Sequence, residues 1–138
     1  MSAAMVLMLA VIGLAFDLGR IYIARNEAQV FTDAAALTAA AKLDGTGEGL
    51  ARAREGVARL PMRWNLGTER FKGVVVEFSA DGRRWEQDPK DAGPVTQARV
   101  TAPANGVDII FLRAAGGPAS FTVPAHSVAA TDPVRLIE

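Results

Sequence analysis

Asp17 and Arg20 are the first charged side chains in the chain, and they stand three residues apart. On a helix that spacing places both on one face, within reach of an ion pair. Residues 1–16 carry no charged side chain, so the pair sits at the edge of an apolar segment. A carboxylate and a guanidinium are costly to leave alone near hydrocarbon and less costly when joined, and Arg20 can also snorkel toward water. The chemistry expected of Asp17 and Arg20 is therefore that of an assembly charge pair, setting the register of an interface.

The other chemically capable groups lack partners. His126 is the single histidine, and no Cys, Asp or Glu stands near it at ligand spacing, so a structural or surface role is expected. Ser and Thr are scattered without a nucleophile elbow. Gly45-Thr46-Gly47-Glu48-Gly49 has the glycines of a phosphate loop without the Lys-Ser/Thr that completes one, and reads as a helix terminator. Glu77, Asp81, Glu86, Asp88 and Asp91 surround one hairpin; a calcium site would need several of them to converge, and a solvated loop is the simpler reading. Trp64 and Trp85 read as core aromatics ahead of interface ones. No catalytic residue, metal or cofactor is expected, and the chain is not read as an enzyme.

Composition narrows the classes further. Within 138 residues, 15 basic and 15 acidic side chains balance. No basic excess points to nucleic acid. With no cysteine, disulfides and thiolate metal sites are excluded.

The elements that must position Asp17 and Arg20 follow from the pattern. Residues 2–43 contain no proline and only Gly13 and Gly19, with alanine dominating from Ala34 to Ala41. This predicts one helix of about 40 residues, roughly 60 Å long. Its first half is apolar all round. Met5, Leu7, Leu9, Val11, Ile12, Leu14 and Phe16 are its candidate assembly core. Its second half is amphipathic, with a polar stripe of Tyr22, Asn26, Gln29 and Asp33. Ile23, Val30, Ala34, Leu37 and Ala41 form an apolar face expected to pack on a sheet. Residues 1–22 are expected to protrude as membrane anchor or filament core, and 23–138 to form the globular domain. A spanning helix needs about 20 apolar residues, which are reached here only by counting through Ile23. Nothing basic precedes the apolar run and no small-x-small site follows it, so a cleaved signal peptide is not expected. Met1 as a processed first residue and Met1 as a later start both stay open.

A second helix is expected over 47–60, with Leu50, Val57 and Leu60 on one side and Arg52, Arg54 and Glu55 solvated, ended by Pro61. Residues 61–73 read as loop and 73–79 as a strand. Ala80-Asp81-Gly82 reads as a turn from which 83–88 returns antiparallel. Residues 95–103 alternate, with Ala98, Val100 and Ala102 inward. Residues 107–117 form a short helical turn or apolar knuckle, and 120–131 a last strand whose Pro124 marks an edge or a bulge. The class is α+β: a long N-terminal helix whose C-terminal half packs on a small antiparallel sheet of about four strands, with a second short helix.

These residues resemble a known family. Asp17, Gly19, Arg20 and Tyr22 match the D-x-G-R-x-Y-type motif that follows an apolar helix in TadE/TadG-like proteins of the tight-adherence (Flp) pilus system. Asp33, Ala34, Ala35, Ala36 and Leu37 match the alanine-rich stretch after it. A later ARVTA strand, the IIFLRAAG knuckle and the closing SVAAT strand look similar too. The resemblance implies a pilin-like or pseudopilin-like protein of the bacterial envelope, anchored in the inner membrane before assembly. It implies as partners further copies of itself in a helical homopolymer, other pilus components and the inner-membrane assembly machinery. Type IV pilins usually carry a glutamate at the fifth mature residue; here position 5 is Met5 if Met1 is the mature start. The expected function is a structural subunit of an extracellular filament polymerising through the apolar helix. The alternative is a membrane-anchored pseudopilin or accessory protein with an exported binding domain.

Overall fold

The computed structural model describes residues 2–131. Helix α1 runs Ala3–Ala40, 38 residues and about 57 Å. Ala41 donates its N–H to the Leu37 carbonyl at 3.0 Å, and the chain then turns through Gly45 at φ 78°. The next helix starts at once. Thr46 is its N-cap, its side-chain oxygen accepting the Gly49 N–H at 3.0 Å, the usual way to satisfy a free first-turn donor. Helix α2 covers Gly47–Ala58. The glycine-rich segment thus ends one helix and opens the second at Gly47, where the second helix is expected to start.

A small ribbon follows, β1 (Arg63–Trp64) against β2 (Glu69–Arg70). It occupies the stretch expected as loop. The main sheet contains β3 (Val75–Ser79), β4 (Gln97–Asp108) and β5 (Ser120–Ala130), antiparallel in the order β3-β4-β5. Between β4 and β5 lies the short helix α3, Phe111–Ala114. Pro124 falls on the edge strand and opposite a register shift between Ala102 and Asn105, so its missing N–H interrupts no ladder bond. The expected return strand after Asp81 is reduced to one bridge, Phe78 with Glu86. Asp81 accounts for this: its carboxylate accepts the N–H groups of Arg83 at 2.8 Å and Arg84 at 3.0 Å. Those donors serve a tight turn instead of a ladder.

The face of α1 that meets the sheet is not the expected one. Ile23, Val30, Ala34, Leu37 and Ala41 are exposed. Instead Ala24, Ala28, Phe31, Ala35, Ala36, Ala39 and Ala40 are buried, together with Ala98, Val100, Ala102, Ala125 and Ala129 of β4 and β5. The reason is size. Alanine on both sides lets helix and sheet backbones approach closely, and hydrophobic periodicity alone does not distinguish an alanine face from a leucine face. Helix α2 packs on α1 through Leu50, Ala53 and Val57. Phe31 stacks on Phe71 at 4.5 Å and Phe71 on Trp64 at 5.4 Å, which makes Trp64 a core residue. Trp85 is half-buried under the Arg99 guanidinium, 4.5 Å from the ring centre.

The Asp81 turn gives a pH test. Hydrogen bonds from the Arg84 and Arg83 N–H groups hold its carboxyl down from 3.8 to about 2. A carboxyl with a depressed folded-state pKa adds stability above its unfolded value, and this is lost as pH falls through the folded one. Asp81→Asn should melt below the wild type at pH 7, and the gap should close between about pH 4 and pH 2. Thermal melts across that range check it; a gap that stays constant with pH contradicts it.

Candidate assembly surface

The side chains expected in the assembly core, Met5, Leu7, Leu9, Val11, Ile12, Leu14 and Phe16, are all between 43% and 67% exposed. Helix α1 is long and apolar enough to cross a membrane. The first buried position along it is Gly13, well before the boundary at residue 22 expected for the protruding part. Residues 2–12 are exposed on every side.

What reaches up to Gly13 is the segment joining β4 to α3. Asp17, 2% exposed, points its carboxylate into the start of α3. Its Oδ1 accepts the Ile110 N–H at 3.0 Å, and its Oδ2 accepts those of Phe111 at 2.9 Å and Leu112 at 2.8 Å. The opening N–H groups of a helix have no partner within it, and Ile110 supplies no side-chain cap. Asp17 provides that cap from a distant part of the chain. Arg20 does not close the expected pair with Asp17. Its Nη1 donates to the Asp108 carbonyl at 2.8 Å, where β4 ends. The two charges thus hold neighbouring parts of one loop within a single chain. Within one chain, these bonds set a register between α1 and the 108–112 segment.

Gly13 completes the arrangement. A Cβ there would lie 2.7 Å from the Phe111 Cβ, closer than side chains tolerate, so only glycine admits the knuckle at this depth. The Phe111 ring meets Phe16 edge-on, 5.6 Å between centres. The knuckle itself shows apolar surface outward: Ile110, Phe111 and Leu112 are exposed. The apolar surface of α1 therefore continues onto a second element.

Sequence reasoning named Asp17 and the knuckle separately and did not join them. Their separation along the chain leaves no spacing signal, and backbone N–H groups carry no residue-type signature. Half of the expected polar stripe has a task. Gln29 Nε2 donates to Ser127 Oγ at 2.9 Å, Ser127 donates to Asp33, and Thr32 Oγ1 lies 2.9 Å from Ser127 Oγ. These bonds fasten α1 to the edge strand, while Tyr22 and Asn26 stay exposed. The acids of the hairpin go to separate partners. Glu77 pairs with Arg99 at 2.8 Å and Asp88 with Arg54 at 2.9 Å, and Asp91 accepts the Gly93 N–H at 2.9 Å. His126 is exposed on β5.

The clamp predicts a local loosening. Asp17→Ala and Gly13→Val should each free the knuckle while the sheet stays folded. Trypsin cleavage after Arg113 should then speed up by about tenfold or more, since cleavage follows local opening. Asp91→Ala should leave the rate unchanged. Timed digestion with mass spectrometry reads this; unchanged cleavage in Asp17→Ala would remove the clamp from the account.

No curated protein and no solved structure matches the chain. The apolar run, Asp17, Arg20 and the alanine face all lie in one N-terminal segment. Over residues 1–42 that segment matches the family described as putative Flp pilus-assembly TadE/G-like, the family that its motif residues resemble.

Proposed function

We propose that the protein is a structural subunit of an extracellular pilus-like filament, polymerising through the apolar N-terminal part of α1. Before assembly it is held in the bacterial inner membrane by the same helix. The observation that carries this reading is the extent of exposed apolar surface on residues 2–12, continued by Phe16 and the knuckle. In water, burial of such surface is worth about 25 cal/mol per Å², and a contiguous patch of this kind marks an interaction or membrane surface. The partners are further copies of the chain, other pilus components and the membrane assembly machinery. No catalytic role is assigned.

A second reading is a membrane-anchored accessory protein of pilus assembly, with the sheet domain as its exported binding part. One observation favours it. Asp17 is satisfied within its own chain, so the apolar run offers no free carboxylate to a neighbouring subunit.

Electron microscopy of material sheared from cells, labelled with antibody against the sheet domain, separates the two. Label along the length of thin filaments supports the subunit. Label confined to the membrane fraction supports the accessory protein and ends the first reading. A substitution sharpens the test. Ile12→Lys places a charge in the apolar run, which costs about 2.5–3.5 kcal/mol at the centre of a membrane helix. It should abolish labelled filaments while the sheet domain keeps its circular dichroism.

A further inference from the structure

Among the large apolar side chains exposed on α1, which crowd every side of residues 2–12 and thin out beyond Ile23, one set is regularly spaced. Leu9, Phe16, Ile23, Val30 and Leu37 recur every seventh residue, and each is 40% to 64% exposed. Seven residues is just short of two turns, so these positions form a nearly straight row that drifts about 20° per repeat. A row of that kind suits a second helix crossing at a shallow angle, with slight left-handed winding. A sheet does not explain it, because β4 and β5 pack on the alanine face of the same helix.

Lipid does not explain it either. From Leu9 to Leu37 the row spans about 42 Å of helix, against a hydrocarbon layer of about 30 Å. Val30 and Leu37 also stand where other faces of α1 carry Arg25, Glu27 and Asp33 and where the sheet domain is attached. They lie outside the hydrocarbon and remain exposed. Asp33, the charged residue nearest the row between them, is turned to Ser127 and Gln29.

We propose that this row is the docking seam for α1 of a second copy of the chain, lying parallel and level with the first, and running beyond the membrane as far as Leu37. The occupant follows from continuity with the apolar anchor. Two copies held in one bilayer by the same end of the same helix have the same direction and the same depth. Each then presents Leu9, Phe16, Ile23, Val30 and Leu37 to its equivalents. Confinement to a membrane also raises the effective concentration of one copy for the other. The parallel, level arrangement rests on the membrane anchoring of the proposed function.

The absence of native cysteine makes the test direct. Single variants Leu9→Cys, Val30→Cys, Leu37→Cys and Arg25→Cys of the full chain are oxidised in native membranes and run without reductant. Arg25 is exposed on α1 away from the row. Val30→Cys and Leu37→Cys should each give at least tenfold more disulfide-linked homodimer than Arg25→Cys. Equal dimer at Arg25→Cys would mean random collision and would overturn the seam. So would a cross-linked band containing a different protein. Dimer at Leu9→Cys alone would confine helix contact to the membrane, which removes the seam but leaves the proposed function standing. No dimer at any position would remove both the seam and membrane-stage self-association.

Discussion

A carboxylate inside an otherwise apolar stretch of helix must find donors, and Asp17 finds three backbone N–H groups in the segment that opens α3. Much of the molecule is arranged around that requirement. The 108–112 segment runs down α1 toward its N-terminus and is gripped at successive turns. Arg20 holds the Asp108 carbonyl, Asp17 holds 110–112, and Gly13 leaves room for Phe111. These positions, i, i+4 and i+7, share one helix face. The end of β4 is thereby tied to the depth at which the apolar run begins. Burial penalises the charge there, and its three backbone N–H donors offset that penalty.

The second constraint is the size of side chains. Helix α1 meets the sheet through alanines, with Phe31 as the large exception, and the sheet answers with Ala98, Ala102, Ala125 and Ala129. Small residues on both surfaces bring the backbones close and fill the gap without large side chains. The consequence is an unusual distribution along one helix. Apart from Phe31 and the half-buried Ile21, the bulky apolar residues of α1 stay outside this core and face outward along its length. A helix with small residues inside and large ones outside is suited to a domain whose larger contacts lie with something else.

Which parts of this were legible in the sequence follows from the kind of signal each part leaves. The long helix was legible because proline is absent and alanine abundant. The second helix, the Val75–Ser79 strand, the inward Ala98-Val100-Ala102 alternation and the place of Pro124 were legible from local pattern. The buried face of α1 was not. Periodicity found an apolar face at Ile23, Val30 and Leu37 and assigned it to the sheet, whereas the sheet takes the alanine face beside it. Hydrophobic pattern ranks residues by polarity, and here the choice was made by volume. The partner of Asp17 was equally hidden. Its spacing to Arg20 predicts an ion pair, but its actual donors are main-chain groups distant in sequence. The family match, over residues 1–42, contains Asp17 and lacks the knuckle that satisfies it.

The clamp also bears on the energetics of assembly in the proposed function. Moving the apolar run from water into a helix bundle would gain hydrophobic free energy, but moving it from lipid into such a bundle gains almost none, because acyl chains are as apolar as leucine. The step from membrane to filament must therefore draw on packing between side chains, on contacts outside the hydrocarbon, or on work by the assembly machinery. An unsatisfied Asp17 would have supplied an electrostatic reason to leave the lipid, and its three N–H partners remove that reason. What remains on the surface of this chain is the row of large side chains that continues past the membrane. Contacts there lose no lipid when they form and exclude water when they close, so they are where association regains a hydrophobic driving force.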